Sequence, residues 1–282
     1  QKTAYEIMPS LVGSEMCNKR QVNNGLTLMS LYTKLQARAA TNTPICVGMI
    51  GAGKFGSMFL AQAIKLPGIH IVAICDIDVG QAKSNLAYIG WPQDRYAATS
   101  LDDALKHHST FLTDHSNLVI NCPHIDIIIE CTGNPVAAVA HAVAAFAAQK
   151  HVINATVEAD AFCGVGLAAT AHEAEVIYSM AYGDQPALVC DLVDWARSCG
   201  FVVTAAGRGH IWKPEYRFST PETIWDYWGL SKEQAERGRL NPKMFNAFLD
   251  GSKPSCIFIL AYLTVPVIFF LSLHLICFPL ST

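Results

Sequence analysis

From Ile45 onward, short apolar runs alternate with helical stretches, and this alternation limits the possible folds more than any other feature of the chain. The runs are Ile45–Ile50, Ile69–Cys75, Ile125–Cys131, His151–Asn154, Val176–Met180 and Phe201–Ala206. Short, nearly continuous apolar runs separated by helices are typical of parallel strands that helices cover. The sequence therefore predicts an α/β fold with a doubly wound parallel sheet.

The first apolar run leads into a glycine turn that opens a helical stretch. The turn residues are Gly51, Ala52, Gly53, Lys54, Phe55 and Gly56, and Asp76 ends the next run 20 residues after Gly56. In this context the glycines permit a tight turn and a close approach of the backbone to a diphosphate, whose oxygens bind the free N–H groups at the helix start. All six turn residues and Asp76 are therefore candidate dinucleotide-binding residues. The alternative is a tight turn without a ligand.

Asp76 also bears on the choice of cofactor. A carboxylate at this position accepts hydrogen bonds from the ribose hydroxyls of NAD and repels the 2′-phosphate of NADP. No arginine follows within the next few residues, although Lys54 and Lys83 offer positive charge. The sequence therefore favours NAD over NADP, and NADP stays open as the alternative.

A second polar segment, Glu130–Pro135, ends the third run and opens an alanine-rich helical stretch. Ligands bind at the carboxyl ends of parallel strands, so Thr132, Gly133 and Asn134 are candidate cofactor contacts, together with Asn154 at the end of the fourth run. Asn134 is also a suitable helix N-cap with a proline after it. The two roles are compatible, and capping is the better supported.

Composition excludes two classes of protein and indicates a compartment. The chain has 282 residues, with 20 Lys and Arg against 23 Asp and Glu, so its formal net charge is −3. This balance gives no basic face for a nucleic acid, and 51% apolar residues exclude disorder over most of the chain. The ten cysteines are scattered singly, which is typical of buried thiols in a reducing compartment and predicts a cytoplasmic protein.

Several segments resemble the homoserine dehydrogenases and their relatives. Val47–Ser57 is similar to the nucleotide-binding domain of that family. Four later segments resemble the homoserine-dehydrogenase-like oxidoreductases that carry a SAF-type domain, namely Glu130–Pro135, Glu158–Asp160, Ala181–Ala187 and Asn241–Asn246. The resemblance runs from about Leu31 to Ser255. It implies a Rossmann domain, a smaller α+β substrate domain, and NAD(P)-dependent hydride transfer on a small hydroxylated acid or polyol.

Two departures from this family argue against homoserine as the substrate. Where homoserine dehydrogenases have a Thr-Ala-Asn-Lys run whose lysine faces the nicotinamide, this chain has Asn154–Val157, without a lysine. The family's catalytic aspartate is followed by a lysine four residues later, whereas Lys253 follows Asp250 after three. Spacings of three and four both fall on one helix face, so the resemblance leaves Asp250 and Lys253 as a candidate catalytic pair.

Oxidation of an alcohol requires a base for the hydroxyl proton while the cofactor takes the hydride. The candidates for proton transfer, in order, are Lys253, Asp250, Lys213, Lys243 and Asp184. Each lysine has the alternative role of a solvated surface charge. For Asp184, which precedes a helical stretch, the alternative of an N-cap is favoured.

Other polar and aromatic residues carry weaker signals. Glu158 and Asp160 either bind substrate hydroxyls or begin the next helix. The pair His107-His108 lacks further ligands at metal spacing, so no metal site is predicted. The aromatic segment Trp212–Trp228 is expected to form core or an interface between copies of the chain rather than a sugar-acid pocket.

The predicted organisation has four parts. They are an N-terminal extension (1–43), a Rossmann domain (44–182), a partial substrate domain (183–255) and an apolar tail (256–282). Residues 256–280 are uncharged, and this length exceeds the roughly 20 residues that cross a bilayer. Because the family pattern stops at Ser255, a truncated or mis-spliced product is favoured over a membrane anchor.

The leading prediction from the sequence is a cytoplasmic NAD-dependent oxidoreductase for a small hydroxylated substrate. Two alternatives stay open. One is a nucleotide-binding product without catalysis, and the other is a membrane-tethered protein whose Rossmann domain is a scaffold.

Overall fold

The computed structural model describes residues 30–206, 213–253 and, as backbone only, 268–269. The chain divides into two compact units, of which one contains the residues up to Ile45 together with Leu66–Ile69, and the other contains the rest. In the smaller unit, a helix begins after Ser30, whose side chain accepts a hydrogen bond from the Thr33 N–H. Gly68 closes this unit, since its carbonyl accepts the Ile45 N–H at 2.9 Å.

Eleven helices and eight strands follow one another through the described residues. The helices are α1 Leu31–Ala40, α2 Lys54–Ala63, α3 Val79–Tyr88, α4 Leu101–His107, α5 Ser116–Ile120, α6 Pro135–Ala147, α7 Val157–Glu173, α8 Gln185–Ser198, α9 Ile224–Trp228, α10 Lys232–Arg237 and α11 Pro242–Leu249. The strands are β1 Ile45–Ile50, β2 Ile69–Cys75, β3 Phe111–Thr113, β4 Ile127–Glu130, β5 His151–Asn154, β6 Tyr178–Met180, β7 Ala205–Ala206 and β8 Ile268–Phe269. Short 3-10 turns occupy Gln93–Tyr96 and Pro214–Phe218.

Six strands form one parallel sheet in the order β3-β2-β1-β4-β5-β6. Each strand connects to the next through at least one helix, which is how parallel neighbours are joined. The strand order reverses between β1 and β4, and ligands of such sheets bind at this point beyond the carboxyl ends of the strands. This is the predicted Rossmann-type α/β fold.

The core lies between the sheet and its helices. Val72, Ile128 and Phe146 are fully buried or nearly so, because β2 and β4 are covered by the helices that follow them. Burial of each large apolar side chain stabilises the fold by about 1.5–3 kcal/mol. The alanine-rich helix α6 packs against α7, and Ala138, Ala142 and Ala145 on its buried face leave room for this close approach.

The segment after β6 has few fully buried apolar residues and, apart from α8, consists of short helices. Its buried apolar residues are Val193, Ile224, Ala235 and Leu249. Within the predicted aromatic segment Trp212–Trp228, Trp225 and Trp228 both contact the ring of Phe245, whereas Trp212 lies outside the described residues. Trp228 is nevertheless exposed, so the cluster is only partly core.

The structure corrects the predicted strands in two places. The run Phe201–Ala206 is not a strand of the main sheet, because only β7 is extended and it pairs in parallel with β8. The strand β3 has three residues, too few to show a pattern, and the sequence did not predict it. In the predicted N-terminal extension, the residues before Ser30 lie outside the described part of the chain, and those after it form α1.

Candidate functional site

The carboxyl edge of the sheet is formed by one row of paired residues. Ile50 pairs with Glu130, Glu130 with Asn154, and Asn154 with Met180. The loops after these four positions therefore begin side by side at one edge. These loops contain the glycine turn, the Thr132–Asn134 segment, Thr156 and Asp184, so the topology brings together most of the segments that the sequence singled out.

The glycine turn lies directly against the loop after β4. Gly51 has φ +96°, and a Cβ there would lie 2.6 Å from the carbonyl carbon and oxygen of Cys131. A Cβ on Gly56 would lie 2.5 Å from the Gly51 oxygen. These contacts are with backbone atoms, so both positions require glycine for packing.

Gly53 differs from the other two glycines of the turn. No atom lies within 4 Å of the position of a Cβ on Gly53, and its backbone is extended with φ −67°. The space beside it is open towards the start of α2. No contact in the described part of the chain therefore requires glycine at position 53. A glycine beside open space is expected where a ligand approaches the backbone closely.

The N-terminus of α2 has no side-chain cap. Among the described residues, none accepts a hydrogen bond from the N–H groups of Lys54, Phe55 and Gly56. By contrast, α3, α6, α8 and α11 are each capped by an Asp or Asn side chain. Free N–H groups at a helix start carry partial positive charge and bind anions such as phosphate.

Asp76 supports the glycine turn through the backbone. One carboxylate oxygen accepts the Ala52 N–H at 2.7 Å, and the other accepts the Asp78 N–H at 3.0 Å. Ala52 is fully buried, so it contributes to the site through its backbone alone. Each oxygen keeps a second lone pair that can accept a hydrogen bond from a hydroxyl group. Asp76 is thus at the predicted position, with a structural role that the sequence did not reveal.

The two side chains between Gly53 and Gly56 point in different directions. The Lys54 Nζ donates to the Gly238 carbonyl at 2.8 Å. Phe55 has half of its side chain exposed. Lys54 therefore connects the turn to the segment between α10 and α11.

A buried carboxylate connects the loops after β4 and β5 through hydrogen bonds. Glu130 is 1% exposed and accepts hydrogen bonds from the hydroxyls of Thr132 and Thr156, each at 2.5 Å. The Thr156 hydroxyl also accepts the Gly133 N–H at 3.1 Å. Nδ1 of His141 lies 3.4 Å from the same carboxylate. A buried charge with several donors is well satisfied, so Thr132 and Gly133 are held in place before any ligand binds.

A second buried network surrounds Asn154. Its amide donates to the Thr156 carbonyl, to Asp160 and to the Tyr178 hydroxyl, and its oxygen accepts the Thr156 N–H. The Tyr178 hydroxyl donates to Asp160 at 2.5 Å. The side chain of Asn154 therefore lies inside the protein and shapes the loop that follows it.

Burial changes the acid–base behaviour of this network. Desolvation raises the pKa of the Asp160 carboxyl to about 6, against hydrogen bonds from Tyr178 and Asn154 that lower it. Burial and the neighbouring Asp160 also raise the pKa of the Tyr178 hydroxyl above its ordinary value. Asp160 is 3% exposed and lies in the first turn of α7. Of its two predicted roles, its position fits the start of a helix.

Two predicted helix caps are confirmed. The Asn134 side chain accepts the N–H groups of Val136 and Ala137 at the start of α6. The Asp184 side chain accepts the Gln185 N–H at 2.8 Å at the start of α8. Both residues lie at the carboxyl edge of the sheet, and each has its side chain engaged as a cap.

Lys253 reaches the start of α7 from the far end of the described chain. Its Nζ lies 3.0 Å from Glu158 Oε1, and its side chain is 19% exposed. Glu158 is in the first turn of α7, directly after the loop that follows β5. The leading lysine candidate therefore lies near the carboxyl edge of the sheet.

Asp250 does not accompany Lys253 on a helix face, as the spacing had suggested. Helix α11 ends at Leu249, and Gly251 takes φ +94°, which turns the chain away from the helix. The Asp250 carboxylate accepts hydrogen bonds from Asn246, and from the N–H and hydroxyl of Ser252. Asp250 thus organises the turn before Lys253.

The other two lysine candidates are exposed. The Lys213 ammonium lies 5.8 Å from the ring centre of Tyr216. Lys243 is in the first turn of α11, where Asn241 accepts its backbone N–H. Both positions fit the alternative of solvated surface charge.

Three further observations limit the chemistry of the described residues. Burial and then Glu130 raise the pKa of the Cys131 thiol to about 12, so it is not a thiolate nucleophile at neutral pH. Residues 30–206 and 213–253 contain no group of three His, Cys, Asp or Glu side chains placed to hold a metal ion. No helix within these residues has the length and apolar character to cross a membrane. The predicted apolar tail lies outside them, and of the tail the structure describes only the backbone of β8.

Sequence reasoning missed several partners in this region. It named Glu130 only as part of a motif and did not foresee its contacts with Thr156 and His141. It also gave no role to Arg239, whose side chain contacts α3. The alternation of strands fixes where loops meet, whereas these contacts join residues 11 to 155 positions apart and carry no local signal.

Comparison with protein families divides the chain into two matched segments. Residues 45–154 match the family described as "Oxidoreductase family, NAD-binding Rossmann fold". Residues 183–258 match a second oxidoreductase family, described as "Oxidoreductase DRL, catalytic domain". No curated protein sequence matches the chain.

Solved structures with a similar fold include several oxidoreductases. A homoserine dehydrogenase from Thiobacillus denitrificans is 21% identical, with a TM-score of 0.43 over 55% of this chain and 34% of that one. An NAD-binding oxidoreductase from Klebsiella pneumoniae is 18% identical (TM-score 0.40, 62% and 47%). A Synechocystis biliverdin reductase is also 18% identical (TM-score 0.40, 60% and 48%). The chain spans about a third to a half of the length of these structures.

Proposed function

We propose that this chain is an NAD(P)-dependent oxidoreductase that transfers a hydride between a nicotinamide cofactor and a small hydroxylated acid or polyol. The observation that carries the proposal is the uncapped start of α2 beside the open backbone of Gly53. Among the described residues, no side chain caps these N–H groups. The turn itself is fixed by the hydrogen bond from Ala52 to Asp76 and by the close packing of Gly51 against the loop after β4. A rigid turn with free donors fits a diphosphate.

The cofactor, when bound, supplies the hydride acceptor or donor, and the chain supplies binding and proton transfer. The N–H groups of Lys54, Phe55 and Gly56 would bind the diphosphate, and Asp76 would accept hydrogen bonds from the adenosine ribose. Thr132 and Gly133, fixed by Glu130 and Thr156, would border the site on the β4 side.

Lys253 is the residue that we propose for proton transfer to or from the substrate oxygen. Its partly buried ammonium is paired with Glu158, which would fix its position at the start of α7. An ammonium in that place also suits a substrate carboxylate. Homoserine itself is disfavoured, because Thr156 and Val157 follow β5 where homoserine dehydrogenases carry the lysine of their Thr-Ala-Asn-Lys run.

We propose a cytoplasmic enzyme for a small-molecule substrate, with no nucleic-acid partner, that acts alone or as a homo-oligomer. Among cofactors, Asp76 favours NAD. The resemblance to the SAF-domain family and to homoserine dehydrogenases supports the substrate class.

Fluorescence titration of the purified chain with NADH tests the proposal, together with turnover assays on a panel of hydroxy acids and polyols. We expect saturable NADH binding, weakened in Asp76→Ala, and turnover of at least one substrate. Binding without turnover on any member of the panel would instead support a nucleotide-binding protein without catalysis. Absence of NADH binding would contradict the proposal.

A further inference from the structure

The segment between α10 and α11 brings a second cation to the glycine turn. The Gly238 carbonyl accepts a hydrogen bond from the Lys54 ammonium at 2.8 Å. Arg239 directly follows Gly238 in the chain. The Arg239 Nη1 donates to the Asn85 side-chain oxygen at 3.0 Å and to the Ser84 carbonyl at 3.4 Å. Its guanidinium also lies over the ring of Tyr88, 4.6 Å from the ring centre. Arg239 therefore rests on α3, the helix that follows Asp76.

A continuous series of hydrogen bonds connects Arg239 to the carboxylate at the end of β2. Asn85 accepts from Arg239 and donates through its Nδ2 to the Ala52 carbonyl at 2.9 Å. The Ala52 N–H in turn donates to Asp76 at 2.7 Å. This series connects Arg239, which rests on the C-terminal half of α3, to Ala52 of the glycine turn and through it to Asp76. Asp76 lies at the end of β2, the adenosine-ribose side of a dinucleotide site.

The charge of Arg239 is not neutralised locally. Among residues 30–206 and 213–253, neither Arg239 nor Lys54 forms an ion pair with a carboxylate. Within the described part of the chain, only the Nη1 atom of the guanidinium forms hydrogen bonds, so its other N–H groups are available to a ligand. Arginine is the side chain best suited to bind a phosphate through two parallel hydrogen bonds.

The positive φ of Arg239, +47°, belongs to the end of α10. The Leu240 N–H closes this helix by donating to the Ala235 carbonyl at 3.0 Å, in the left-handed turn that commonly ends a helix. Gly238, directly before Arg239, is held by Lys54 from the glycine turn. The end of α10 therefore fixes the backbone from which the Arg239 side chain extends.

We propose that Arg239, together with Lys54, forms a subsite for the 2′-phosphate of NADP, so that the chain accepts NADP as well as NAD. This inference rests on the proposed function, and it modifies the preference that Asp76 alone indicates. The repulsion between Asp76 and a 2′-phosphate is offset by two cations supplied from outside the loop after β2. One of them comes from a segment more than 150 residues further along the chain.

Titration of the full chain with NADPH and with NADH, in the wild type and in Arg239→Ala, tests this subsite. We expect the wild type to bind both cofactors. Arg239→Ala should weaken NADPH binding about tenfold or more, as for loss of a hydrogen bond to a charged group, and change NADH binding less than about twofold. Arg237→Ala, which removes an exposed arginine at the end of α10, is the matched control and should change neither.

A second variant separates phosphate binding from support of the turn. Lys54→Met should also weaken NADPH binding more than NADH binding, and high salt should weaken NADPH binding more steeply in the wild type than in Arg239→Ala. An equal loss for both cofactors in Arg239→Ala would overturn the subsite and leave Arg239 as a support of the turn. NADH binding without NADPH binding in the wild type would overturn the subsite alone. Binding of neither cofactor would overturn the proposed function as well.

Discussion

The parallel sheet and the segment that follows it differ in how they are stabilised. In the sheet, central residues such as Val72 and Ile128 are completely buried between layers of helices. In the segment 185–253, the helices after α8 have only five to eight residues, and large side chains such as Trp195 and Phe218 are exposed. Most of the buried apolar area of the larger unit therefore belongs to the sheet and its helices.

This difference separates the two roles of a site. The glycine turn, the Glu130 network and the Asn154 network belong to the rigid sheet edge, and they hold backbone donors in fixed positions. The cationic side chains Arg239 and Lys253 come from the less buried segment. Sites are most accurate when rigid elements hold their geometry, so the sheet would bind the cofactor and the second segment would supply specificity and proton transfer.

Removal of the Lys253 side chain should have the largest effect. We expect Lys253→Ala to lower kcat/KM by a factor of about 10²–10⁴, the usual contribution of a positioned proton-transfer group. Its melting temperature should change little, because a partly exposed ion pair contributes about 1 kcal/mol or less. Steady-state kinetics beside the exposed control Lys232→Ala measure this. Equal activity of the two variants would remove Lys253 from the site.

A matched pair of core substitutions tests the comparison itself. Ile128 in β4 and Ile224 in α9 are both 0% exposed. We expect Ile128→Ala to lower the free energy of unfolding by about 4 kcal/mol, and Ile224→Ala by about 2 kcal/mol, since a less tightly packed region relaxes around the cavity. Urea unfolding gives both values. If Ile224→Ala costs as much as Ile128→Ala, the two regions are equally packed and the comparison is wrong.

The pH dependence of stability tests the buried network at the sheet edge. Because the pKa of Asp160 is raised from 3.8 to about 6 in the folded state, its contribution to stability is fully present below pH 3.8. That contribution is lost as the pH rises through about 6, and the difference amounts to about 3 kcal/mol. Asp160→Asn should therefore lose less stability than the wild type between pH 4 and 6.

Urea unfolding at several pH values measures this difference. Asp191→Asn, an exposed aspartate on α8, is the control and should follow the wild type. Parallel curves for wild type and Asp160→Asn would show that Asp160 is not desolvated in the folded protein.

The sheet could be predicted from the sequence because its central strands β1, β2 and β4 are buried on both faces and their apolar runs are nearly continuous. The same rule failed for Phe201–Ala206, where Phe201 and Val202 are exposed. An apolar run forms a strand of the sheet only where a neighbouring strand can pair with it. The local sequence of the run does not show whether such a neighbour exists. The short β3 has no such run, although its pairing with β2 completes the sheet.

The site was predictable in its backbone and not in its side-chain partners. The glycine spacing identified the turn, and capping preferences identified Asn134 and Asp184 as caps. The contacts of Glu130 with Thr156, and of Lys253 with Glu158, depend on how distant segments meet. Local spacing even suggested the wrong partner for Lys253, because it could not show that the helix ends at Leu249.

The most direct test of the account is the affinity of Gly53→Ala for NADH. Gly53 has open space around its Cβ position and an extended backbone, so alanine should leave the melting temperature nearly unchanged. The control is Gly166→Ala, a change on α7 that also meets no atom within 4 Å. If the backbone at the start of α2 holds the dinucleotide, Gly53→Ala should weaken NADH binding about tenfold or more, and Gly166→Ala should not. Unchanged NADH affinity in a folded Gly53→Ala protein would contradict the claim that the glycine turn is the cofactor site.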